Sequence, residues 1–137
     1  MAYLWWFEVS ASGESTLKEV VMPFYRYFMD DKMLYHGEWK VYFDAENTKL
    51  SRVCEYHHSV QTGRYITYYE NGQVSIKTFY KNDKVHGQYI SYTHQGRKYR
   101  DSVIINDEFY SKTADLSGED KIILMLKYDV KFFGDDE

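Results

Sequence analysis

Gly63-Arg64-Tyr65-Ile66-Thr67-Tyr68-Tyr69-Glu70-Asn71-Gly72 is the stretch that decides how this chain folds. Tyr65, Thr67 and Tyr69 alternate with Ile66 and Tyr68, which is the period of a strand, and the residue types suit a pleated, half-buried surface. Asn71-Gly72 then interrupts the pattern, with glycine supplying the positive φ of a tight turn. A second extended run, Val74 to Tyr80, follows, and the polar turn Lys81-Asn82-Asp83-Lys84 leads through Val85-His86 to the next glycine. The unit reads as strand, Gly-bearing turn, strand, polar turn.

The unit recurs on both sides. Gly37-Glu38-Trp39-Lys40-Val41-Tyr42-Phe43 and Gly87-Gln88-Tyr89-Ile90-Ser91-Tyr92-Thr93 align with it without gaps, 26 residues upstream and 24 downstream. Each copy has glycine, an aromatic two residues later and tyrosine five later. The third copy turns at His94-Gln95-Gly96, while the first substitutes the longer loop Asp44-Ala45-Glu46-Asn47-Thr48. The returning strands are Leu50 to His57 and Lys98 to Ile105. Fixed-period self-similarity of this kind marks a repeat architecture in which each unit buries itself against its neighbours.

The ends repeat less cleanly. Tyr3 to Val9 reads as a strand, Ser10 to Ser15 as a turn cluster, and Thr16 to Met22 as either helix or strand. Pro23 breaks any continuous element, and Phe24 to Met29 followed by Asp30-Asp31-Lys32 resembles the closing half of a repeat. After the last copy, Ser117 and Asp120 have the spacing of a helix-opening box, and Ile122, Ile123, Met125, Leu126, Val130 and Phe133 fall largely on one helical side. The spacing predicts a helix from about Gly118 to Lys131, capping the last sheet edge; a final strand over Ile122 to Leu126 is the alternative. Gly134-Asp135-Asp136-Glu137 reads as a solvated acidic tail.

The expected architecture is all-β: one elongated antiparallel sheet of stacked hairpins with a C-terminal capping helix. A single domain spans 1–137, with a degenerate repeat over 1–36, hairpin repeats over 37–62, 63–86 and 87–111, and the helix and tail over 112–137. Composition agrees. Of 137 residues, 44% are hydrophobic and 19% aromatic, with fifteen tyrosines and one proline, too apolar for a disordered chain at a net charge of −4. Seventeen basic residues against twenty-one acidic ones argue against general nucleic-acid binding. One cysteine, Cys54, forms no internal disulfide, and the apolar run Ala2 to Phe7 is too short for a leader or a membrane span. The expected setting is intracellular and cytoplasmic.

The pattern Gly-x-aromatic-x-x-Tyr-aromatic, then Asn-Gly, then a polar turn ending His-Gly, resembles the MORN repeat, in the variant found in bacterial antitoxin-like proteins and in proteins of giant DNA viruses. The resemblance covers about residues 34 to 111, and Gly63 to His86 matches best. The first copy lacks the turn glycine, and the third has Thr93 for the second aromatic and Gln95 for Asn. The resemblance implies stacked hairpins and a role in holding proteins or membranes in place, with no catalytic residues; in a large DNA virus it would allow a virion or minor capsid role.

Candidate chemistry is sparse. His36 and His86 each precede a repeat glycine, so turn geometry accounts for them. His57 and His58 are adjacent in an expected strand and should face opposite sides, a poor arrangement for one ion, and His94 lies in a turn. Cys54 has no activated-thiol signature around it. Asp30-Asp31 and Asp135-Asp136 sit in turn or tail contexts. No catalytic residue, metal site, cofactor or small-molecule substrate is therefore expected. Arg97, Lys98 and Arg100 form the one compact basic cluster and could meet lipid phosphates or another anion, although alternation and Asp101 divide it.

What remains is two ladders: Trp39, Tyr65 and Tyr89 at one repeat position and Tyr42, Tyr68 and Tyr92 at another. With the glycines Gly37, Gly63, Gly72, Gly87 and Gly96 they are read as repeat-packing residues. An exposed ladder would supply rigid amphipathic anchors for a protein partner or for self-association. The expected function is a non-catalytic scaffold or structural protein, with a peripheral anionic-lipid adaptor and an antitoxin-like neutralising protein as alternatives.

Overall fold

A computed structural model describes residues 5–10 and 16–134 of the chain. It is an elongated antiparallel sheet of eleven strands followed by one helix. In chain order the strands are β1 (Trp5–Ser10), β2 (Thr16–Met22), β3 (Tyr25–Met29), β4 (Gly37–Tyr42), β5 (Leu50–His57), β6 (Val60–Tyr68), β7 (Val74–Lys81), β8 (Lys84–Val85), β9 (Gly87–Tyr92), β10 (Lys98–Ile105) and β11 (Glu108–Lys112). Each strand pairs with the next, except that the short β8 and β9 both pair with β7. The meander is the stacked-hairpin array that the repeat predicts. The ambiguous segment Thr16–Met22 is a strand, paired with both β1 and β3. Met1 to Leu4, most of the Ser10 to Ser15 cluster and the acidic end of the tail lie outside the described residues.

The repeat is visible in the backbone as well as in the side chains. At one edge of the sheet the hairpins close on His58-Ser59, Asn82-Asp83 and Asn106-Asp107, and both residues of each pair have positive φ. A two-residue hairpin turn of type I′ requires this, and among residues other than glycine Asn and Asp tolerate it best. The second turn residue then clasps the preceding hairpin. Asp83 accepts from the Gln61 N–H at 2.8 Å and returns its own N–H to the Gln61 carbonyl; Asp107 does the same with Val85, and Ser59 with Tyr35. At the other edge Asn71 donates to the His94 carbonyl, and Asn47 donates to the Met22 carbonyl while accepting from the Phe24 N–H. Neighbouring hairpins are thus tied turn to turn along both edges, which satisfies backbone groups that a bare meander would leave to water.

Gly72 and Gly96 have φ of 89° and 86°, as the second turn requires. Gly87 has a further reason to be glycine. A Cβ there would lie 3.0 Å from the Lys131 carbonyl and 3.1 Å from Phe79, so the residue leaves room for the C-terminal segment.

That segment supplies the compact core. A 3-10 turn (Thr113–Asp115) leads to Ser117, whose hydroxyl accepts from the Asp120 N–H while the Asp120 carboxylate accepts from the Ser117 N–H. This complete capping box opens helix α1 (Gly118–Tyr128), so the helical reading of 122–126 holds over the strand alternative. The helix ends three residues before the expected Lys131, because Asp129 turns left-handed at φ 56°. It caps the array from above: Leu124 and Val130 pack on Val103 of β10, with Ile105, Leu116 and Phe132 around them. β11 remains the terminal strand of the sheet.

Candidate functional site

Register and alternation assign the side chains to two faces. Trp39 pairs with Cys54, Cys54 with Tyr65, Tyr65 with Thr78, and Tyr89 with Ser102, so these residues share one face. Along the sheet a ring alternates with a small side chain: Trp39, Cys54, Tyr65, Thr78, Tyr89, Ser102. Cys54, Thr78 and Ser102 are buried at 1%, 1% and 4% exposure, whereas the rings are half-buried. The arrangement explains the burial. Each small residue stands directly across from a ring on an adjoining strand, and no second layer covers this face among the described residues. Tyr27 stacks on Trp39 at 4.1 Å, Tyr35 and Tyr56 meet Trp39 edge-on, and Tyr65 lies against Tyr80. Burial pushes the Cys54 thiol pKa up, away from the thiolate that a nucleophile needs.

The second ladder, Tyr42, Tyr68 and Tyr92, falls on the opposite face, where its rings are also half-buried. Residues 129–134 cover the end of that face. Gln88 holds them: its N–H donates to the Lys131 carbonyl at 3.0 Å, its Oε1 accepts from the Phe133 N–H at 2.9 Å, and its Nε2 donates to Asp101. Phe133 stacks on Phe79, with the Lys77 ammonium over its ring, and burial lowers the Lys77 pKa. Beside this contact is an open cleft of about 520 Å³ bordered by Lys77, Tyr92, Lys98, Asp101 and Lys121. No histidine or cysteine lines it. Of the basic cluster, Arg97 lies in an exposed turn, Lys98 pairs with Asp101 at 3.0 Å, and Arg100 lies over the Tyr89 ring on the other face.

Helix α1 leaves a cluster of large apolar side chains exposed. Only Leu124 is buried; Ile122 and Ile123 are 53% exposed, Met125 43% and Leu126 83%. A helix apolar on nearly every side belongs to a covered environment, yet here its outer face is open. Its ends carry opposite charge, with Glu119 and Asp120 in the first turn and Lys127 in the last. Among the described residues no helix is long and apolar enough to cross a membrane.

The histidines behave differently from their sequence reading. His36 and His86 do serve the turns. The Nδ1 of His86 accepts from the Asn106 N–H and the Nδ1 of His36 from the His58 N–H, the equivalent position of the adjoining turn. His57 and His58, however, do not diverge. His58 is not a strand residue: it is the first residue of the turn, at φ 49°, so alternation does not apply to it. Its ring comes back beside His57, with centroids 4.4 Å apart, and both rings lie within 4.8 Å of His36. One ligand nitrogen from each of the three lies within 4.8 Å of the others. Buried Asp30 sits behind them, its Oδ2 2.7 Å from His58 Nδ1. The Leu34 N–H, then His58, hold the Asp30 carboxyl below the usual range, at about 2. The signal that could have found this cluster is the turn itself, which reads His-Ser where the other copies read Asn-Asp.

No protein-family model matches the chain, and neither the curated proteins nor the solved structures give a match. What the fold establishes is a repeat sheet compatible with a structural or protein-interaction role.

Proposed function

We propose that this protein is a non-catalytic hairpin-repeat scaffold that works by protein–protein contact, and that helix α1 docks a second copy of the chain. The carrying observation is the outer face of α1, where Leu126 is 83% exposed and Ile122 and Ile123 stand beside it. An antiparallel pairing of two such helices brings Glu119 and Asp120 of one copy to Lys127 of the other and opposes the two helix dipoles. Covering Leu126 alone is worth roughly 1.5–3 kcal/mol per copy. The burial and raised pKa of the Cys54 thiol fit a non-enzymatic role.

Within that reading the chain is a MORN-type repeat protein, and a self-associating sheet of this kind suits a virion or minor capsid component if the source is a large DNA virus. An anionic-lipid adaptor would have to use Arg97, Lys98 and Arg100, of which Lys98 is tied to Asp101 and Arg100 lies on Tyr89. An antitoxin-like protein would instead use the helix face for a different protein.

Sedimentation equilibrium of the full chain over a wide concentration range tests the proposal. The expected result is a monomer–dimer equilibrium, abolished by Ile122→Asp with Leu126→Asp at an unchanged urea midpoint. Glu119→Lys should weaken the dimer and Lys127→Glu on that background restore it. A wild-type chain that stays monomeric at every concentration overturns self-docking, and flotation with anionic vesicles that Arg97→Glu with Arg100→Glu abolishes would favour the lipid reading.

A further inference from the structure

We infer that His36, His57 and His58 form a binding site for a first-row divalent metal ion of the zinc class, oriented by Asp30 from behind. The inference starts from the tautomer of His58. Asp30 is buried, and its carboxylate already accepts from the Lys32 and Leu34 N–H groups through Oδ1, leaving Oδ2 to the imidazole at 2.7 Å. An ionised carboxylate only accepts, so His58 Nδ1 must be the N–H donor. Neutral His58 then carries its lone pair on Nε2, the form in which histidine ligates metals. A carboxylate behind a histidine is the recurring outer-shell arrangement of metal sites.

His36 brings a second lone pair. Its Nδ1 accepts from the His58 backbone N–H at 3.3 Å, a long hydrogen bond, so this electron pair is directed into the cluster. A metal–nitrogen bond in its place would be far stronger. His57 completes the set from the end of β5, exposed like His58 and able to turn toward the others. Zinc–imidazole bonds of about 2.0–2.1 Å place tetrahedral nitrogens roughly 3.4 Å apart. The present spread of 4.8 Å exceeds this by about 1.4 Å, a gap that turning the exposed His57 and His58 rings toward half-buried His36 would narrow.

At this turn the sequence departs from the later copies, His58-Ser59 standing where they have Asn-Asp. At the equivalent clasp of the later hairpin, His86 faces Asn106, and its other nitrogen is engaged by the Tyr128 carbonyl at 2.7 Å. There the histidine is structural. At the earlier clasp the turn residue is a histidine, and the residue before it is another. Three imidazoles suit zinc, copper or nickel, in contrast to the oxygen-only cages of calcium and magnesium. With three protein ligands, one tetrahedral position remains for water or for a donor on another molecule. An ion here would tie the loop after β3 to the turn between β5 and β6, joining the N-terminal hairpin to the regular array.

Isothermal titration of the full, tag-free chain with Zn2+, paired with Co2+ absorption spectra, tests the site. The expected result is one saturable site, with low-symmetry cobalt bands and a raised thermal midpoint. His58→Asn restores the residue used at the other two turns, so it should fold normally and still lose the ion. Asp30→Asn acts through His58 and should weaken binding about 10–100-fold, with loss of the His58 Nδ1–H signal in imidazole 1H–15N spectra. No saturable Zn2+ uptake, or uptake unchanged in the folded His57→Ala, His58→Asn double variant, would overturn the inference.

Discussion

Replacing Gln88 by alanine should release the C-terminal segment from the sheet while leaving the hairpins intact. Gln88 is 7% exposed, and its side chain makes two bonds at 2.9 Å, one accepted from the Phe133 N–H of the C-terminal segment and one donated to the Asp101 carboxylate on the neighbouring strand β10. A net neutral hydrogen bond is worth about 1 kcal/mol and one to a charged group about 1.5–3 kcal/mol, so their joint loss costs about 2–4 kcal/mol. The estimate sits at the lower end because Asp101 keeps its ion pair with Lys98. Urea unfolding at neutral pH measures the whole effect. Amide exchange at Phe133 locates it, since that N–H loses its acceptor whereas those of β6 and β7 keep their ladder partners. Gln88→Glu is the stricter variant, because it keeps the packing and the acceptor but sets a second carboxylate against Asp101. A loss below about 0.5 kcal/mol with Phe133 exchange unchanged would refute the claim that Gln88 is the clamp.

Four further outcomes follow from the same contacts. Asp83→Ala and Asp107→Ala each remove the acceptor of a turn clasp and should cost about 1–2 kcal/mol in urea unfolding, with Asp→Asn recovering most of it. Gly87→Ala should be worse than alanine at an open turn, about 1–3 kcal/mol, because it meets both a positive φ of 138° and the Lys131 carbonyl. Cys54 should stay unreactive toward a thiol reagent until urea unfolds the chain, given its burial and raised thiol pKa. Burial alone would raise the Asp101 pKa, but hydrogen bonds from Gln88 and the Lys98 ion pair outweigh it and hold it below the free value. The stability this carboxylate contributes is complete above its unfolded pKa of about 3.9 and is lost as pH falls through the lower folded value. In Asp101→Asn the acid limb of the stability–pH curve should therefore be shallower.

The hairpins were legible because glycine, aromatic and turn residues recur at fixed offsets, and each of those residues answers a local backbone demand. Gly72 needs a positive φ, and Asn82-Asp83 needs two in succession. Thr16–Met22 was not legible, because Leu17, Val20 and Val21 suit either period; pairing on both sides, with β1 and β3, decides it. Ser117 and Asp120 gave the start of the helix, but its end depends on Asp129 turning left-handed, which no residue type demands. The histidine cluster was missed for a similar reason. Reading His57 and His58 by strand alternation assumes that the strand continues, and it stops at His57. Contacts between residues distant in sequence, such as His58 with Asp30 or Gln88 with Phe133, arise only when the array stacks.

The two halves of the sheet differ in how their open surface is managed, and this bears on what each can do. Over the β7–β10 hairpins the C-terminal segment covers one face, and Val103, Ile90 and Phe79 are buried beneath it. Over β4 to β6 that same face, with Val53, Ile66 and Tyr68, borders an open cleft of about 480 Å³. The first half has no such cover among the described residues, so its rigidity has to come from within a single layer. Three devices supply it: rings standing across from Cys54 and its equivalents, the turn clasps at both edges, and the cluster of His36, His57 and His58 around Asp30. A metal ion in that cluster would act where the loop after β3 meets the turn between β5 and β6, whereas the exposed helix packs on β10. The two proposals are therefore separable by experiment, since mutating Leu126 should leave metal uptake unchanged and mutating His58 should leave dimerisation unchanged.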